Sequence, residues 1–115
     1  MKNNFPSFHQ SFELLFKSEE AEVVYCYECR LFHVHYGTVV LDLSVVGMNV
    51  LIKRLHYYFD LYKDKINPKL RTIEVETPFS GIRLLLSVMD LKAFKEMLEK
   101  ANLELEDRNR QRALN

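Results

Sequence analysis

"LFHVHYGTVVLDLS", residues 31 to 44, decides the fold. Its centre, Gly37-Thr38, has the Gly-X pattern of a two-residue type II′ turn, in which a positive φ at the first position favours glycine and the twist suits adjoining strands. Folding the segment about that turn pairs Tyr36 with Val39, Val34 with Leu41 and Phe32 with Leu43. These apolar and aromatic side chains then share one face, as a half-buried antiparallel hairpin requires. The opposite face carries His33, His35, Val40 and Asp42, with His33 directly across from Asp42.

Working outward, Ser44 stands where a helix N-cap belongs, and Val45, Met48, Leu51 or Ile52, Leu55, Tyr58 or Phe59 and Tyr62 follow at helical spacing before Pro68. A shift of 43 residues lays "LDLSVVGMNVLIKRL" (41–55) over "LLLSVMDLKAFKEML" (84–98) with the apolar positions in phase. This predicts a ββα unit used twice, over 30–64 and 73–105. In the second copy Ile73, Val75 and Thr77 face Ile82, Leu84 and Leu86 across "PFSG", and Glu76 faces Arg83 as a cross-strand charge pair. Ser87 and Asp90 have capping-box spacing, followed by Leu91, Phe94, Met97, Leu98 and Ala101 on one helical face. Upstream, "FELLFK" and "EVVYCY" around "SEEA" form a further hairpin. The expected architecture is a single α+β domain over 1–115: a two-layer antiparallel sheet with two helices on one face, built from the duplicated unit preceded by the extra hairpin. Residues 106–115 are expected to be a frayed tail, and its Arg108, Arg110 and Arg112 alternate with acidic residues as a solvated helix end does.

With 115 residues, 48% of them hydrophobic and 28% charged, the chain has the make-up of an ordinary globular domain. Sixteen basic and sixteen acidic side chains cancel, so no global field draws in nucleic acid or anionic lipid. Recognition of a single strand across the sheet would need exposed aromatics, and the register sends Phe32 and Tyr36 inward. "TVVLDLSVVGMNVLI" is interrupted by polar residues well short of the ~20 apolar residues a membrane span needs. "MKNNFPSFHQ" lacks the apolar core and cleavage site of a secretory signal, so the expected location is cytoplasmic.

The chemistry-bearing stretch is "YCYECRLFHVHYG", residues 25 to 37. Cys26 and Cys29 fall at a hairpin tip, the position of a zinc knuckle, where C-x-x-C lets two thiolates converge. His33 and His35 alternate onto one face of the next strand and can add nitrogen donors, with Asp42 orienting His33. Distance stands against a four-residue centre. His33 lies four residues beyond Cys29 on a strand that advances about 3.3 Å per residue, so the chain would have to bend sharply after Arg30. A lone C-x-x-C without a second pair is a weak metal signal. The plainest account makes both cysteines reduced, small hydrophobes beside a turn. The metal account takes Cys26, Cys29, His33 and His35 as ligands, or shares the cysteines between two subunits. Thiol redox chemistry comes third, because a strand rather than a helix N-terminus follows. His9 and His56 are isolated and expected to face solvent, and Tyr57 falls on the other side of its helix with Lys53 and Arg54, where exposure would mark a partner contact.

Cys26-x-x-Cys29, a short strand, the aromatic-glycine pair Tyr36-Gly37 and a helix after an alternating strand together resemble a group of short, functionally uncharacterised bacterial proteins found mainly in the Bacteroidetes. The resemblance covers about residues 25–60. It implies a small cytoplasmic protein without an assigned activity and brings over no catalytic residue. Members need not carry histidines at positions matching His33 and His35, which puts the weight on the cysteines. The expected function is a non-enzymatic interaction or structural module with a zinc-stabilised hairpin, forming a homodimer through an outer sheet face that carries Leu31, Val40 and Leu85, or binding another protein. The competing class is a thiol- or metal-dependent enzyme or redox protein centred on Cys26, Cys29, His33 and His35.

Overall fold

The computed structural model describes residues 12–114; the N-terminal stretch and His9 lie outside the described residues. The chain order is β1 (Phe12–Lys17), β2 (Ala21–Cys26), β3 (Leu31–Tyr36), β4 (Val39–Leu43), α1 (Val45–Tyr62), β5 (Ile73–Glu76), β6 (Arg83–Leu86) and α2 (Val88–Leu114). The fold class is α+β.

The central hairpin forms in the expected register, with Phe32 opposite Leu43, His33 opposite Asp42, Val34 opposite Leu41 and Tyr36 opposite Val39. Gly37 sits at φ +57° and Thr38 does not share the positive sign, as a type II′ turn requires. Alternation then does the sorting: Phe32, Val34, Leu41 and Leu43 are buried in the core, while Val40 and Asp42 are exposed. The β1–β2 hairpin adds to this pair, giving a meander in the order β1-β2-β3-β4. A bulge between Leu14 and Phe16 inserts Leu15 into the ladder. Both Leu15 and Phe16 can therefore pack against the core that Val23 and Tyr25 enter from β2, and Leu14 is left on the other face.

Both helices begin at the predicted caps. The Ser44 hydroxyl accepts a hydrogen bond from the Gly47 N–H at 3.0 Å. Ser87 and Asp90 form a reciprocal capping box, each side chain accepting from the other's backbone N–H at 3.0 Å. The buried stripe of α1 is Gly47, Met48, Leu51 and Leu55, and that of α2 runs from Val88 through Leu91, Phe94, Met97, Leu98 and Ala101 to Leu105. Val45, expected on the α1 stripe, is exposed because the stripe turns to the core one turn later. The helices pack on each other; α1 covers β3, β4 and β5, and α2 covers β1, β2 and β6. Tyr36 stacks on Phe94 at 4.7 Å between ring centres, tying the sheet to α2.

The sheet departs from the single layer that the sequence predicts. Strands β5 and β6 form their own two-stranded sheet beside the four-stranded one, and both contribute to one core. The ends of this hairpin are already satisfied. Thr77 Oγ1 donates to the Ile82 carbonyl at 2.7 Å, and Arg54 from α1 donates to the carbonyls of Glu76 and Thr77 at 3.0 Å each. The Glu76 and Thr77 carbonyls are thus taken by a side chain of α1, while the Ile82 carbonyl is held within the hairpin itself. The ββα order recurs in β3-β4-α1 and β5-β6-α2, but the recurrence is one of order, not of sheet partnership. Glu76 does face Arg83, yet Arg83 makes its ion pair diagonally with Glu74, at 3.2 Å. Helix α2 runs past the unit boundary drawn at 105 to Leu114, because Leu105 is still buried and Arg108 and Arg112 both bind Glu13 on β1. No helix among the described residues is long and apolar enough to cross a membrane.

Candidate metal centre

The candidate site is built where β2 hands over to β3. Cys26 is the last residue of β2 and pairs with Leu31, while His33 pairs with Val24. Cys26 and His33 are therefore diagonal neighbours on the face turned away from the helices, close enough for side chains of their length to meet. Residues Tyr27–Arg30 make the turn, and Arg30 adopts φ +56°. That left-handed residue is the sharp bend whose lack would have kept Cys29 away from His33. It reverses the chain directly after Cys29, so that the thiol folds back over β3 instead of extending along it. A non-glycine residue in this conformation costs about 1–2 kcal/mol, which the surrounding turn must offset.

The ligand atoms of Cys26, Cys29 and His33 all lie within 4.8 Å of one another. Cys29 N–H donates to Cys26 Sγ at 3.4 Å, the backbone-to-sulfur bond that keeps two cysteines of one turn pointing at a common centre. Cys29 Sγ stands 3.7 Å from His33 Nε2. Donor atoms at tetrahedral positions about 2.0–2.3 Å from a zinc ion are themselves about 3.5–3.8 Å apart, so this pair already has the required separation. On the other side of the ring, His33 Nδ1–H donates to Asp42 Oδ1 at 2.7 Å. With Nδ1 engaged by the carboxylate, Nε2 is the ring nitrogen turned towards the sulfurs, the one a metal would take. The strand register that sets His33 opposite Asp42 produces this contact.

Cys26 is fully buried, His33 is buried and Cys29 is half-buried. Burial, together with the neighbouring Cys26 and the Asp42 charge, pushes the Cys29 thiol up to about 11. At neutral pH it is a protonated thiol, a poor nucleophile that becomes a thiolate when a cation takes the proton's place. The donor set of two soft sulfurs and one imidazole suits zinc better than the hard cations, which prefer oxygen.

His35 is on the same strand but outside the converging group. It lies between Glu22 and Val40 in the ladder and lines a recess with Lys17, Glu19, Glu20 and Gly37. The two-residue step from His33 carries it about 6–7 Å along the strand. His56 is exposed and faces Asp60 at 3.3 Å. Leu85, grouped with Leu31 and Val40 on one outer surface by the sequence, is exposed on the separate β5–β6 sheet.

Sequence reasoning missed what supports the turn from behind. Tyr27, between the two cysteines, turns to the opposite side. Arg112 lies over its ring at 4.1 Å and Tyr25 meets it edge-on at 5.0 Å. Glu13 receives Arg108 at 2.5 Å and also Arg112. Burial alone would raise the Glu13 pKa, but the Arg108 hydrogen bond, the Tyr27 hydroxyl and both arginine charges outweigh it and hold the carboxyl below its ordinary value. Among the described residues the buried Tyr27 hydroxyl has no hydrogen bond of ordinary geometry; burial and then the facing Glu13 carboxylate push its pKa up. Nothing local in the sequence signals this cluster, because its members come from opposite ends of the chain.

No known protein family, curated protein or solved structure matches this chain.

Proposed function

We propose that this protein is a small non-enzymatic interaction module whose hairpin tip is stiffened by a zinc ion held through Cys26, Cys29 and His33. The convergence of three donor atoms within 4.8 Å, with His33 turned into place by Asp42, carries this reading. Bound zinc would cross-link the end of β2 to β3, so its binding free energy would add to that of the fold. The thiols must lose their protons to bind, so loading is expected to weaken as pH falls. Such thiols persist in a reducing compartment, in keeping with a cytoplasmic location. The partner surface in this reading is the helix-free sheet face around Leu31 and the exposed Val40, beside the edge strand β4, where a second copy of the chain would dock.

The test is native mass spectrometry with elemental analysis of untagged full-length chain purified without chelator, beside Cys26→Ser/Cys29→Ser. The expected result is about one zinc per chain, absent from the variant. Metal-free protein as stable as the variant would sink the proposal.

A second reading has one observation in its favour. Cys29, His33 and Asp42 stand in the order nucleophile, base and orienting carboxylate, at 3.7 and 2.7 Å. Against it, the Cys29 thiol is held up at about 11, the reverse of an activated nucleophile. Rapid alkylation of Cys29 by iodoacetamide at neutral pH in metal-free protein would favour this enzyme class; slow alkylation supports the metal reading.

A further inference from the structure

Cys26 and Cys29 are the two cysteines of the chain, and both belong to the candidate centre. Their sulfurs lie within 4.8 Å of each other, and a disulfide holds two sulfurs at about 2.05 Å, so closure asks for less than about 3 Å of movement. The two positions are unequal. Cys26 ends β2, is paired with Leu31 in the ladder and is fully buried. Cys29 is half-buried in the turn between β2 and β3, outside the ladder, so its sulfur is the one that a small solute reaches first. The Cys29 N–H donates to Cys26 Sγ at 3.4 Å, which keeps the buried sulfur beside the turn that carries the accessible one. An accessible sulfur next to a buried one suits a peroxide-sensitive pair, in which the first is oxidised and the second resolves it.

We propose that Cys26 and Cys29 form an oxidation site, and that joining them as a disulfide, with a hydroperoxide as the oxidant, unloads the metal. This rests on the metal reading above and adds its regulation. The Cys29 sulfur, a thiolate when it is a ligand, attacks one oxygen of hydrogen peroxide; the O–O bond breaks and the other oxygen leaves as water after taking up a proton. The Cys26 thiolate then attacks the Cys29 sulfenic sulfur, the S–O bond breaks, and the hydroxide that leaves becomes a second water by taking up a second proton. Two electrons pass from the sulfur pair to the peroxide, and both protons come from solvent. A disulfide sulfur carries no thiolate charge, and the thiolate is the form that binds metal. Of the three converging donors His33 alone is then left, and a single imidazole does not hold a zinc ion that takes four donors. Oxidation thus removes the tie from the turn to β3 and closes the turn on itself.

Native and denaturing mass spectrometry of the full chain purified without chelator, before and after hydrogen peroxide is added, tests this. Zinc is expected to fall from about one per chain to none. The denatured chain should become lighter by two hydrogen atoms and remain a single chain, which with two cysteines in the sequence identifies the Cys26–Cys29 bond. Maleimide applied in denaturant should then label no thiol. A phosphine reductant should bring back both thiols and, with zinc supplied, the original loading. The proposal is overturned if the sulfurs end unjoined and heavier by oxygen, if disulfides link one chain to another, or if zinc stays on the oxidised chain. Two labelled thiols and full zinc after excess peroxide would overturn it as well. A chain that carries no zinc before peroxide is added would overturn the metal reading itself, a result read before any oxidant enters.

Discussion

At the residue scale the site depends on two side chains that touch no metal. Asp42 holds the His33 ring at 2.7 Å through Nδ1 and leaves Nε2 turned towards the sulfurs. Asp42→Asn is expected to preserve the fold, since Asp42 is exposed, but to lower zinc affinity by about 10–100-fold, as residues that orient a metal-bound histidine do. Competition against a chromophoric chelator measures it, and unchanged affinity would remove Asp42 from the account. Arg30 supplies the bend, at φ +56°. Glycine relieves the left-handed penalty but gains unfolded-state freedom, so Arg30→Gly should shift stability by less than about 1 kcal/mol and keep metal affinity. The β-branched Arg30→Val should cost about 1–2 kcal/mol and weaken metal binding; urea midpoints with and without zinc separate the two. Much of the site is legible at this scale, since C-x-x-C, His33 and the facing Asp42 follow from one turn and a period of two. The proximity of Cys29 to His33 is not. It depends on a left-handed residue, and arginine at that position, unlike glycine, does not advertise one.

At the element scale the caps and the clasp decide how the helices are held. Removing one half of the reciprocal capping box, Ser87→Ala, should cost about 1 kcal/mol, read as a lower denaturant midpoint at unchanged slope. The clasp of Glu13 with Arg108 and Arg112 responds to pH. Its carboxyl is held below the ordinary 4.5 in the folded chain, so the stabilisation is complete above that value and is lost as pH falls through the lowered folded value. Glu13→Gln should flatten this acid limb of the stability curve and loosen the last turns of α2, seen as faster amide exchange over residues 106–114. An acid limb unchanged in Glu13→Gln would contradict the assignment. The caps are visible in the sequence because Ser44, Ser87 and Asp90 act within one helical turn. The clasp joins residues 95 and 99 positions apart and depends on the length and tilt of α2, which no local pattern encodes.

At the scale of the whole molecule, the meander, the two helices and their common core follow from alternation, turn chemistry and helical spacing. The division into two sheets does not. The alternation of β5–β6 is the same whether the hairpin docks on β4 or stands apart, and the contact that Arg54 of α1 makes with the Glu76 and Thr77 carbonyls has no local signal. The shared core has its own test: Phe94 is almost fully buried and stacked on Tyr36, so Phe94→Ala should cost about 3–5 kcal/mol in a single cooperative transition that unfolds both sheets together. In the proposed account a metal held by Cys26, Cys29 and His33 would tie one end of the four-stranded sheet, and the identity of its donors is the central claim. Zinc-edge X-ray absorption on the full chain purified without chelator measures them directly. The account predicts about two sulfurs at about 2.3 Å and an imidazole nitrogen at about 2.0–2.1 Å. A shell of oxygen and nitrogen alone, or protein that takes up no zinc, would contradict it.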